Sequence, residues 1–111
     1  SVLSAEQLAA REALQQQAAG TELMVTLDGR RSRIAFDPTK GSILDCVQAA
    51  GMPAPYACKG GVCTTCRAKI LEGQVTMTKN YGLTDEEVAE GYVLTCQSVP
   101  ATDRVILSYD E

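Results

Sequence analysis

The chain has 111 residues, five cysteines, no histidine, no tryptophan and a net charge of −4. That length supports one hydrophobic core and not two. The acidic balance speaks against a nucleic-acid partner, and the missing histidine excludes a Rieske centre, histidine-ligated zinc and any nucleophile paired with histidine.

The first twenty residues, SVLSAEQLAAREALQQQAAG, are rich in alanine and glutamine and stop at Gly20. Ser4 with Gln7 three residues on has the form of a capping box, so a helix is expected over residues 5–18. Its apolar side chains are mostly alanines, which make a weak packing face. Residues 1–20 therefore read as a helical linker, with a helix packed on the domain as the alternative, and residues 21–111 as the folded domain. ELMVTLDGRRSRIAF holds two alternating runs around Asp28-Gly29, a hairpin signal, with strands at 24–27 and 33–36. Ser42 opens a second helix with Asp45 at the box position, and Gly51 closes it.

MPAPYACKGGVCTTC carries two prolines and two glycines, which fit neither a regular helix nor a central strand. It reads as a long cysteine-bearing loop. RAKILE and QVTM follow as strands. TDEEVAE reads as a short helix capped by Thr84, with Glu87 at the box position and Gly91 as its stop. YVLTCQS and RVILSY are expected as the last strands. The order predicts an α+β domain, a mixed sheet with one main helix across it.

Three cysteines crowd the loop. Four residues separate Cys58 from Cys63, two separate Cys63 from Cys66, and Cys96 stands far downstream. This is the C-x4-C-x2-C…C spacing that holds a [2Fe–2S] cluster. Each iron needs two thiolates; one loop supplies three and a distant strand the fourth. Gly60 and Gly61 let the loop curl and aim N–H groups inward. The hydroxyls of Thr64 and Thr65 are further candidates for bonds to sulfur, which tune a reduction potential. Three rivals fit less well. A disulfide framework leaves an odd thiol, and no signal peptide is visible. Four-cysteine zinc sites use two short knuckles, whereas Cys96 is alone. A thioredoxin-like use of Cys63 and Cys66 leaves Cys58 and Cys96 unexplained. Cys46, inside the second helix, reads as a small buried hydrophobe.

PYACKGGVCTTC together with LTCQS resembles the plant-type [2Fe–2S] ferredoxins over residues 22–110. That resemblance implies a β-grasp fold, a ferredoxin-like twisted mixed sheet. It implies one-electron transfer through a cluster held by Cys58, Cys63, Cys66 and Cys96. A narrower resemblance, carried by GMPAPYACKGGVCTTCRAKILEG, NYGLTDEEVAEGYVLTCQS and RVILSYDE, is to the C-terminal ferredoxin domains of phenylacetyl-CoA epoxidase reductases. It implies a flavin reductase module as donor and a di-iron oxygenase as acceptor. FAD and NAD(P)H belong to that module, whose flavin and dinucleotide motifs this sequence lacks. The chain is then an electron carrier and not itself an enzyme. A stand-alone ferredoxin is the alternative, and a zinc-stabilised binding module a more distant one. No apolar run approaches the roughly 18 residues of a membrane span, and the expected location is cytoplasmic.

Around the loop, Lys59 and Arg67 are candidates for favouring a more negative, reduced site, or simply point to solvent. The rim from Ala57 to Val62 is the expected electron exit. Asp85, Glu86, Glu87 and Glu90 form either a docking face or a solvated helix surface. Tyr56 and Tyr92 read as packing residues.

Overall fold

A computed structural model of the chain describes residues 4–55, 65–78, 80 and 82–111. The expected α+β architecture is present. Helix α1 (Ala5–Gln17) is followed by a hairpin of β1 (Glu22–Leu27) and β2 (Arg30–Ala35). Helix α2 (Ile43–Ala49) then leads to β3 (Arg67–Glu72), β4 (Val75–Met77), α3 (Asp85–Ala89), β5 (Tyr92–Leu94), β6 (Ser98–Pro100) and β7 (Arg104–Ser108).

Five strands form a mixed sheet in the order β2-β1-β7-β3-β5, in which β1 and β7 run parallel and the other pairs antiparallel. β4 and β6 form a separate two-stranded antiparallel sheet. The hairpin turn places Asp28 and Gly29 at φ of 51° and 75°. These are the two positive values a two-residue turn needs to follow the strand twist. Both turn N–H groups donate to the Asp110 carboxylate, at 2.7 and 2.8 Å, which ties the segment after β7 to the first hairpin.

β1 alternates as its sequence predicts, sending Leu23, Val25 and Leu27 inward. They meet Phe36, Ile43, Leu44, Val47, Leu94, Val99, Val105 and Leu107 in one core. Ile43, Leu44, Cys46 and Val47 are the buried face of α2, whose contacts reach β6 and the turn before it. Ser42 caps this helix as expected. Its hydroxyl accepts from the Asp45 N–H at 3.3 Å, and the Asp45 carboxylate accepts the Ser42 N–H at 2.9 Å. Ser42→Ala removes one partner of this buried box. The expected loss is about 1 kcal/mol, read as a lower urea midpoint at unchanged slope; an unchanged midpoint would contradict the assignment.

α1 carries the expected capping box at Ser4 and Gln7. Gln15 and Ala18 are buried and Leu14 packs on the core, while most of the earlier turns stay exposed. Only the C-terminal end of the helix is therefore anchored. Among the described residues, no helix is long and apolar enough to cross a membrane.

One expectation needs correction. The sequence suggests a single strand over residues 92–98, bearing Cys96. Instead β5 ends at Leu94, a single 3-10 turn spans Thr95–Gln97, and the chain re-enters a strand in the other sheet. The cause is side-chain competition for backbone groups. The Thr95 hydroxyl donates to the Cys66 carbonyl at 2.8 Å, and the Ser98 hydroxyl donates to the Leu94 carbonyl at 2.8 Å. Cys96 thus sits on a tight turn between two sheets.

Candidate metal centre

Of the four cysteines singled out by spacing, Cys66 and Cys96 are among the described residues, and the structure brings them together. Cys66 directly precedes β3, and Cys96 lies at the centre of the 3-10 turn after β5. Pairing of β3 with β5, with Arg67 opposite Leu94, sets their segments side by side. The Thr95 N–H extends this pairing by donating to the Cys66 carbonyl at 3.3 Å. Both cysteines are nearly fully buried, at 1% and 4% exposure. Cys58, Cys63, Tyr56, Lys59, Gly60, Gly61, Thr64 and the rim from Ala57 to Val62 lie outside the described residues. Among those described, no group of three or more metal-ligating side chains stands together.

The chemistry of the pair suits a metal. The Cys96 thiol hydrogen-bonds to Cys66 and pulls its thiol down to about 6; burial opposes this, and the Cys96 N–H adds to it. Thiolates are the form that ligates iron. A buried pair that favours the thiolate on one member is a donor set suited to a cluster with cysteine ligands.

A chain of hydroxyls braces the pair from behind. Tyr109 donates to the Thr95 hydroxyl at 2.8 Å, and Thr95 in turn donates to the Cys66 carbonyl. Burial and the neighbouring cysteines raise the Tyr109 pKa, so the phenol stays protonated and remains a donor. Sequence reasoning misses Tyr109 and Thr95, because nothing local in LTCQS or LSYDE signals a partner across the sheet.

Arg67 does not simply point to solvent. It pairs with Glu87 of α3 at 2.8 Å and lies over the Tyr92 ring, 4.8 Å from its centroid. Lys69 approaches the same ring at 5.6 Å. Tyr92 therefore packs as expected, as a platform for two cations. The Arg67–Glu87 pair ties the acidic helix to the strand that starts beside Cys66. Asp85, Glu86 and Glu90 remain exposed.

The Thr84 N–H and Arg67 hold the Glu87 carboxyl below its usual range. A carboxyl whose pKa is lowered by folding stabilises the fold above its unfolded value, and that contribution is lost as pH falls through the folded value. Glu87→Gln is accordingly expected to reduce the loss of thermal stability on acidification; an unchanged acid profile would contradict the pairing.

Cys46 behaves as the small hydrophobe expected. It is buried in α2, its sulfur 3.4 Å from both the N–H and the carbonyl of Asp37, and burial pushes its thiol up.

Comparison with known proteins identifies the family of the domain. Residues 25–101 match a family described as the 2Fe-2S iron-sulfur cluster binding domain. The chain is 46% identical over 94 residues to one of the subunits of the 1,2-phenylacetyl-CoA epoxidase of Escherichia coli (strain K12), covering 85% of this chain and 26% of that protein. It is 38% identical over 88 residues to the ferredoxin reductase component of 3-ketosteroid-9-alpha-monooxygenase from Mycobacterium tuberculosis (strain ATCC 25618 / H37Rv), covering 79% and 24%. Among solved structures it is similar to a reductive activator for a corrinoid, iron-sulfur protein. The TM-score is 0.66 at 29% identity, over 79% of this chain and 14% of that one. The chain spans about a quarter of the length of the two curated relatives.

Proposed function

The chain belongs to the 2Fe-2S iron-sulfur cluster binding domain family, and from that premise we propose that Cys58, Cys63, Cys66 and Cys96 are its four ligands. The observation that carries this reading is the buried Cys66–Cys96 pair, at the third and fourth positions of the spacing, drawn together by the two Thr95 bonds to the Cys66 carbonyl. When bound, a [2Fe–2S] cluster accepts and releases one electron. The protein's part is to supply thiolates and exclude water around them.

The wider proposal follows the relatives. We read residues 21–111 as the electron-carrying domain of an NAD(P)H-dependent flavin reductase, and residues 1–20 as the linker to its reductase module. The acceptor is an oxygenase component, such as phenylacetyl-CoA epoxidase. By itself the chain carries electrons and performs no substrate chemistry, and its setting is the cytoplasm. The 46% identity to a protein of the epoxidase system supports this choice of pathway. The anchored last turn of α1 supports a linker that sets the domain's orientation.

The test joins this chain to a flavin reductase module of the kind the resemblance implies and supplies NAD(P)H and the epoxidase component. Turnover of phenylacetyl-CoA above that of the flavin module alone is expected. Reduction of the chain by flavin without transfer to the epoxidase would overturn the pathway while leaving the electron carrier intact.

A further inference from the structure

Gln97 directly follows Cys96 and is buried, at 4% exposure. Its Nε2 lies 3.9 Å from the Cys96 sulfur, within reach of a long N–H···S bond. Its Oε1 accepts the Thr78 hydroxyl at 2.9 Å. The Thr78 hydroxyl also lies 3.4 Å from the Gln97 carbonyl. With this hydroxyl as the donor to Oε1, the amide turns its NH2 toward the sulfur, and a ligating thiolate has only acceptor lone pairs to offer it.

The fold sets this arrangement through the two-stranded sheet. Met77 pairs with Ser98, so the next residue of one strand and the preceding residue of the other are adjacent. The Thr78 N–H donates to the Gln97 carbonyl at 2.8 Å, which locks that register. The small sheet thereby holds a hydroxyl against the amide that faces a ligand sulfur. Among the described residues, no buried side-chain polar atom lacks a partner.

We propose that Gln97 is a redox-tuning donor to the Cys96 sulfur and that Thr78 is the positioning residue that aims it. This rests on Cys96 being a cluster ligand. A donor aimed at a sulfur stabilises the state in which that sulfur carries more negative charge, which is the reduced state. Removing the donor should lower the midpoint potential without removing a ligand.

The experiment is a mediated redox titration of the cluster-loaded full chain and its variants, followed by visible absorption and by EPR of the reduced form. Gln97→Met is expected to keep the cluster and to lower the equilibrium constant for reduction by threefold to tenfold, the upper figure being about 59 mV for one electron. Thr78→Val should shift the potential the same way by less. Thr78→Ser, which restores the hydroxyl, should return it to the wild-type value. A Gln97→Met protein that holds the cluster at an unchanged potential would overturn the proposal. If that variant does not hold the cluster, the Thr78→Val and Thr78→Ser pair decides: equal potentials in the two overturn it. Cys96→Ala is the control for the underlying reading. Unaltered cluster content and EPR there would remove Cys96 from the ligand set, a failure distinct from an unchanged potential in Gln97→Met.

Discussion

Cys96→Ala is expected to abolish cluster binding and electron uptake while leaving a folded chain. Cys96 occupies a 3-10 turn wedged between the two sheets, buried at 4% exposure and hydrogen-bonded to Cys66. Alanine is smaller and offers no donor atom, and burial keeps water from taking the place of the thiolate. A three-thiolate site leaves one iron short of a ligand, so the expected loss of iron, sulfide and dithionite-reducible absorbance is essentially complete. Cys46→Ala is the contrast. Its thiol sits against Asp37, within hydrogen-bond reach of that residue's backbone, so the variant should keep the full cluster complement. Retention of a reducible cluster by Cys96→Ala, or its loss in Cys46→Ala, would refute this assignment of roles.

Phe36→Ala is expected to cost about 3–5 kcal/mol, a large share of the roughly 5–15 kcal/mol that a domain of this kind has in total. Phe36 is 1% exposed and is the largest fully buried side chain among the described residues. It is also the chain's only phenylalanine, in a sequence without tryptophan, so the core around it is mainly aliphatic. Its backbone is held on both sides, donating to the Thr21 carbonyl at 2.8 Å and accepting from the Gly20 N–H at 2.9 Å. The surroundings therefore have little freedom to collapse into the vacated volume. A fall in the urea midpoint at unchanged slope is the expected result, with Phe36→Leu clearly milder. A loss below about 1 kcal/mol would show that the core is not organised around this ring.

Much of this molecule is written in local signals. The boxes at Ser4, Ser42 and Thr84, the Asp28-Gly29 turn and the alternation of Leu23, Val25 and Leu27 each depend on residues within a few positions, and each is found in the structure. The break at Thr95 is of another kind. YVLTCQS reads as a largely apolar run that suits a continuous strand, and what bends it is a hydroxyl reaching the Cys66 carbonyl 29 residues away. The parallel pairing of β1 with β7 likewise joins the two ends of the domain and leaves no local trace.

The site divides along the same line. Spacing alone brings out Cys66 and Cys96, because ligand geometry constrains where thiolates sit in the chain. Thr95 and Gln97 flank Cys96 in its own turn, but the Cys66 carbonyl, Thr78 and Tyr109 that they bond to lie in other segments. A glutamine after a cysteine and a threonine before a lysine carry no sign of their partners, so their roles become visible only with strand register.

The measurement that bears most directly on the central claim is the iron, zinc and acid-labile sulfide content of the anaerobically purified chain, taken with its visible spectrum before and after dithionite. Iron and sulfide in equal amounts, with broad visible bands that bleach on reduction, are the predicted result. A colourless protein that holds zinc, and that gains no such bands on reconstitution with iron and sulfide, would contradict it.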